Sequence, residues 1–176
     1  MTVAFEDHLL QIAVTAVGNV PAEELADTYA VSFFVYDDED DPRCPTLTIG
    51  TNTEAQVLVF TAGSPTADPT ARPAPTDPEE ARWNYAFWRQ NQLAVVGDLD
   101  NDAPGALLRQ EWVRSLGLWY EDPSGDAEWR DSLAKDKSIT GEFVEVCVRT
   151  ARNMHAEGLV EGVFGRPVPI IVHELE

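Results

Sequence analysis

Side chains able to do chemistry are sparse along this chain of 176 residues. His8, His155 and His173 are the three histidines, the residue type that ordinarily titrates near neutrality. None belongs to a nucleophile elbow, a zinc-binding HExxH helix, a phosphate-cradling glycine loop or a dinucleotide fingerprint. His155 reads as a cation-compatible residue at a helix C-terminus, and His173 as an outward position on a strand. Cys44 and Cys147 lack zinc-ligand spacing and form no disulfide framework, so both read as reduced thiols.

The run Asp37-Asp38-Glu39-Asp40-Asp41-Pro42 offers carboxylates to a hard cation such as calcium, but its spacing is not that of an EF-hand loop. A solvated acidic turn explains it better, and neither a metal nor a cofactor is expected. Asp37, Asp38, Asp40 and Asp41 remain candidates for contact with a basic partner. Glu142 and Glu145 lie one helical turn apart, yet Phe143 and Val146 mark the buried side and leave them towards solvent. The densest chemical text is Arg82-Trp83-Asn84-Tyr85-Ala86-Phe87-Trp88-Arg89. On one helix, Trp83 and Phe87 would share a face with Trp88 beside them. Arg82, Trp83 and Trp88 could then line a groove for a planar or anionic ligand. The competing reading has the tryptophans filling the core and Arg82 paired with one of the many acids.

Charge narrows the classes of partner. Thirty-one acidic residues against 12 basic ones give a formal net charge of −19. That field repels phosphate backbones and anionic lipid, so nucleic acid and membrane surfaces are not expected partners. A basic protein, by contrast, would be steered in. Residues 1–60 hold eleven acids and a single base, Arg43, so an acidic binding face is expected in the N-terminal third. No segment has the length and apolarity of a membrane span and the first residues lack a basic, apolar leader, which implies a cytoplasmic protein.

The elements that must position these groups follow from periodicity. Phe5, Leu9, Ile12, Ala13 and Ala16 recur at helical spacing over residues 3–17. YAVSFFVY, residues 29–36, has the β-branched and aromatic density of a central strand. The acidic run turns it into a hairpin that returns through Leu47 to Gly50. Thr51 or Thr53 caps a helix over residues 54–60, with Ala55, Leu58 and Val59 towards the core. The Pro-rich stretch 63–78 reads as a long surface loop. Asp77-Pro78-Glu79-Glu80 then starts a helix running to about Gln90. Leu93 to Val96 forms a short strand, and Pro104 opens a helix whose stripe is Leu107, Leu108, Trp112, Leu116 and Trp119. Ile139, Phe143, Val146, Cys147, Thr150 and Met154 write a last long helix stopped at Gly158, and Val168 to Val172 a final strand. The sum is a single α+β domain with a mainly antiparallel or mixed sheet and helices packed on it.

The strand YAVSFFVY, the segment TLTIGTNTEAQV, the motif EARWNYAFW, the strand LAVVGD and the distal EGLVEGVFGRPVPIIVHELE together resemble the bacterial domain-of-unknown-function 4303 family over nearly the whole chain. The resemblance implies no established activity; it associates the chain with immunity-type roles. The leading expectation is a non-enzymatic acidic binding protein, an immunity-type or regulatory partner of a basic protein. The alternative is an enzyme or small-ligand binder using the groove near Arg82, Trp83 and Trp88.

Overall fold

A computed structural model describes residues 2–61, 75 and 77–174. The stretch 63–74 and Thr76, within the Pro-rich segment read as a surface loop, lie outside the described residues. Helix α1 (Thr2–Gly18) leads into the hairpin β1 (Thr28–Asp37) and β2 (Pro45–Thr53), joined through the short 3₁₀ turn Asp38–Asp40. Then come α2 (Glu54–Thr61), α3 (Pro78–Trp83), a 3₁₀ turn (Tyr85–Phe87), β3 (Ala94–Val96), α4 (Ala103–Ser115), α5 (Asp126–Ala156), α6 (Leu159–Phe164) and β4 (Ile170–Glu174). The strands form one mixed sheet in the order β3-β2-β1-β4, antiparallel except for the parallel pair β1 and β4. This is the expected α+β architecture, with YAVSFFVY as an interior strand.

Strand alternation gives the sheet two unlike faces. Val31, Phe33, Val35, Leu47, Ile49 and Val96 point to the main core, where they meet the apolar sides of α1, α4, α5 and α6. Phe5, Trp112 and Phe143 lock three of those helices together with ring centroids 5.6 to 6.0 Å apart. The register sets Ser32 opposite Gly50, Phe34 opposite Thr48 and Tyr36 opposite Thr46, which makes the other face largely polar. A smaller cluster of Tyr29, Ala30, Val57, Ala81 and Trp88 covers part of it.

Several sequence expectations need correcting. Helix α3 ends at Trp83 and does not reach Gln90. The carboxamide of Asn84 accepts the Ala86 amide at 3.0 Å, and the Arg82 carbonyl is taken by the Tyr29 hydroxyl and, at 2.8 Å, by Trp88 Nε1. Those side chains supply what further helical turns would have supplied. Trp83 and Phe87 therefore share no helical face. In α2, capped by Thr53 Oγ1, Val57 is buried, while Ala55, Leu58 and Val59 face outward. In α4 the inward stripe is Gly105, Ala106, Arg109, Trp112 and Val113; Leu107 is exposed and Trp119 lies beyond the helix. The last helix has the expected core residues but starts at Asp126, with Glu128 receiving the Ser124 amide and hydroxyl. Among the described residues no helix is long and apolar enough to cross a membrane.

Candidate functional site

The aromatic segment after the Pro-rich stretch is a packed seam. Trp88 is buried against Tyr29, whereas Trp83 is about half exposed and meets Tyr29 edge-on at 5.6 Å. Arg82 forks onto Glu54, with Nη1 donating at 2.8 Å, and its guanidinium lies 4.6 Å from the Tyr29 ring centre. The Glu54 carboxyl is held below the usual range chiefly by that hydrogen bond. Arg89 forks onto Glu24 at 2.7 and 2.8 Å and also reaches Thr51. Arg82, Trp83 and Trp88 are thus brought together, but Arg82 is committed to a carboxylate and a ring and Trp88 to the core. His173 is not outward: it is half-buried beside Tyr85 and Trp88, and burial pushes its pKa down. Its Nε2 and the hydroxyl of Ser32 are buried with no hydrogen-bond partner among the described residues.

The acidic hairpin turn is built differently from a uniform solvated run. Glu39 and Asp40 adopt φ of 53° and 58°, so the chain doubles back tightly and splits its carboxylates between two hollows. Asp41 is consumed internally: Arg43 donates to it from Nε and Nη2, both at 2.8 Å, and from its amide at 2.9 Å. Burial alone would raise the Asp41 carboxyl, but Arg43 more than reverses this and holds it low. Asp37 and Asp40 line a hollow of about 190 Å³ with Tyr36, Thr140 and Glu174. Burial, then the charges of Asp136, Asp41 and Asp40, push the Asp37 carboxyl above its ordinary value.

Asp38, Glu39 and Asp41 border a larger cleft of about 280 Å³. Its opposite wall is the turn after β3, which contributes Asp98, Leu99 and Asp100, and α4 contributes Leu107 and Arg109. Two glycines hold that wall. Gly97, at φ +87°, donates its amide to Asp102 Oδ2 at 3.0 Å and presents its carbonyl to Arg109 Nη1 at 2.6 Å. Gly105 brings the first turn of α4 so near the Asp102 cap that a Cβ there would lie 1.8 Å from Oδ2. Asp102 accepts the Gly105 amide at 3.1 Å and faces His8 Nε2 at 2.9 Å, tying α1 to the same corner.

Asp98 and Asp100 escaped the sequence reading because only folding sets them across from the hairpin. Arg109 left a signal, since it occupies a core-facing position of α4 one turn from Trp112 and Val113. Among the described residues no three histidine, cysteine or carboxylate side chains are arranged to hold a metal ion. Four of the cleft carboxylates, those of Asp38, Glu39, Asp98 and Asp100, have no lysine or arginine at ion-pair distance among the described residues. Such an arrangement can accept a cation with its own hydrogen-bond donors. No family model, no curated protein and no solved structure matches the chain.

Proposed function

We propose that the protein is a binding protein that receives a basic protein partner at the acidic cleft between the β1–β2 turn and the turn after β3, in an immunity-type or regulatory role. The observation that supports this reading is the convergence of Asp38, Glu39, Asp98 and Asp100 on one hollow, each without a basic ion-pair partner among the described residues. Uncompensated carboxylates in one concave place raise the local negative potential above that of the general surface and speed the arrival of a cationic partner. Of the four aspartates singled out in the hairpin, Asp38 is the best placed for this role, since Asp41 already serves Arg43 and Asp37 and Asp40 line the neighbouring hollow. Membership of the domain-of-unknown-function 4303 family, proposed on the segments quoted above, brings no activity with it.

The test compares the native chain with the variant Asp38→Asn, Glu39→Gln, Asp98→Asn, Asp100→Asn as bait in a lysate of the source cells, followed by stopped-flow association with the purified captured protein. The native chain should associate faster at low salt and show a steep salt dependence that the variant flattens. An unchanged rate and salt dependence in the folded variant would move the interface elsewhere.

A further inference from the structure

Arg109 is the feature of the cleft that a purely cation-binding hollow does not explain. It is 5% exposed, borders the cleft, and has no carboxylate at ion-pair distance among the described residues. Nη1 is occupied by the Gly97 carbonyl and, at 3.2 Å, by the Thr46 hydroxyl. Nε is buried and bonded to nothing among the described residues. A guanidinium is almost never buried without a counter-charge, because its desolvation is costly when nothing answers it. Its planar fork matches a carboxylate, which it can engage through two parallel N–H donors. Asp37 and Asp41 act on Arg109 only through their charge at longer range, with Asp41 forked onto Arg43, and Asp38 makes no ion pair within the described residues.

The rim adds a third chemistry. Leu99 and Leu107 are 64% and 63% exposed and flank the same hollow. Exposed leucines beside carboxylates suit an aliphatic stem that ends in a charged head, as in lysine or arginine, whose methylenes lie along apolar surface while the head stays hydrated or paired. Resting on the acidic-cleft reading, we infer that the cleft takes a basic residue that carries a free α-carboxylate. The carboxylate docks on Arg109, the stem runs over Leu99 and Leu107, and the cationic head reaches the carboxylates of Asp38, Glu39, Asp98 and Asp100, none of which has a basic ion-pair partner among the described residues. Charge supports the pairing, for the head answers the acids and the carboxylate answers Arg109, the one buried cation among the described residues. A free cationic amino acid and a chain ending in a basic residue share this chemistry, and the probes below separate them.

The experiment is calorimetric titration of the native chain with three probes: L-arginine, acetyl-Gly-Gly-Arg with a free carboxylate, and the same peptide as its C-terminal amide. Electrostatics of the acidic cleft alone ranks the amide peptide above the acid peptide, because the amide lacks the acid's negative charge. The carboxylate on Arg109 reverses the order, and the free-acid peptide should bind at least about tenfold tighter than the amide, or ~1.4 kcal/mol. If L-arginine binds and both peptides fail, the ligand is the free amino acid; if the free-acid peptide binds and L-arginine fails, it is a chain end. Arg109→Lys, which keeps the charge and loses the fork, should erase the preference for the acid while the amide still binds. That ligand comparison needs no variant, so it stands even if replacing Arg109 unfolds the chain. An amide that binds as tightly as the acid overturns the role of Arg109 and leaves the acidic cleft standing, because its affinity would still fall in the Asp98→Asn, Asp100→Asn variant. Absence of binding by all three at millimolar concentration overturns this inference, while the association measurement above decides the protein-partner reading separately.

Discussion

Replacing Gly105 by alanine sets helix propensity against local geometry. On propensity alone the change stabilises a helix by roughly 0.5–1 kcal/mol, because glycine loses more backbone entropy on folding than alanine does. The new methyl group, however, would stand 1.8 Å from Asp102 Oδ2 and 2.6 Å from its Cγ, so the carboxylate must leave. Three contacts go with it: the cap on the Gly105 amide, the bond from the Gly97 amide and the contact with His8. Loss of an N-cap costs about 0.5–2 kcal/mol. A buried Gly97 amide left without its acceptor costs about 1–3 kcal/mol more. Set against the propensity gain, the net loss is about 0.5–4.5 kcal/mol. Urea unfolding should show a lower midpoint with an unchanged slope. Asp102→Ala should lose a similar amount, and the double variant should lose clearly less than the two single losses added, since both remove the same contacts. A Gly105→Ala protein as stable as the parent would refute the reasoning, and with it the idea that this corner braces the cleft wall.

Trp88→Ala should lose about 3–5 kcal/mol in the same assay, because the ring is buried and its Nε1 serves the Arg82 carbonyl, whereas Trp83→Ala should lose no more than about 1 kcal/mol. Equal losses would contradict the seam described here. Asp37→Asn should raise the melting temperature at neutral pH and leave it unchanged in acid. The sign follows from the raised carboxyl: the folded state favours its protonated form, so the stability it contributes is present below the unfolded-state pKa and is lost as pH rises through the higher folded-state value. A benefit that persisted at low pH would assign the effect to something other than ionisation.

Much of the fold was legible because its signals are local. Helix α1 and the C-terminal half of α5 each write a clean stripe, from Phe5 to Ala16 and from Ile139 to Met154, and the hairpin is announced by five consecutive acids followed by proline. The errors fall where side chains outvote periodicity. Asn84 and the twice-used Arg82 carbonyl end α3 early, and α2 is too short, with too many apolar residues, for its sequence to say that Val57 turns inward while Leu58 and Val59 do not. The cleft was half visible. Asp38 and Asp41 stood out as part of a run and Arg109 lies one helical turn before Trp112 and Val113, but Asp98 and Asp100 gain meaning only across the sheet.

The parallel pairing of β1 with β4 has a kinetic consequence. Val31 through Val35 of an interior strand are matched to residues 170–174, so that edge of the sheet, with the core beneath it, can close only after nearly the whole described chain is available. Contacts of such large sequence separation form late, since loop-closure entropy must be overcome before they contribute, and proteins dominated by them fold slowly. During that interval β1 presents its unpaired edge along residues 31–35, a strongly apolar stretch with no charged side chain. The acids at the hairpin turn stand at the end of that strand, where like-charge repulsion between chains discourages edge-to-edge association while the last strand is still awaited.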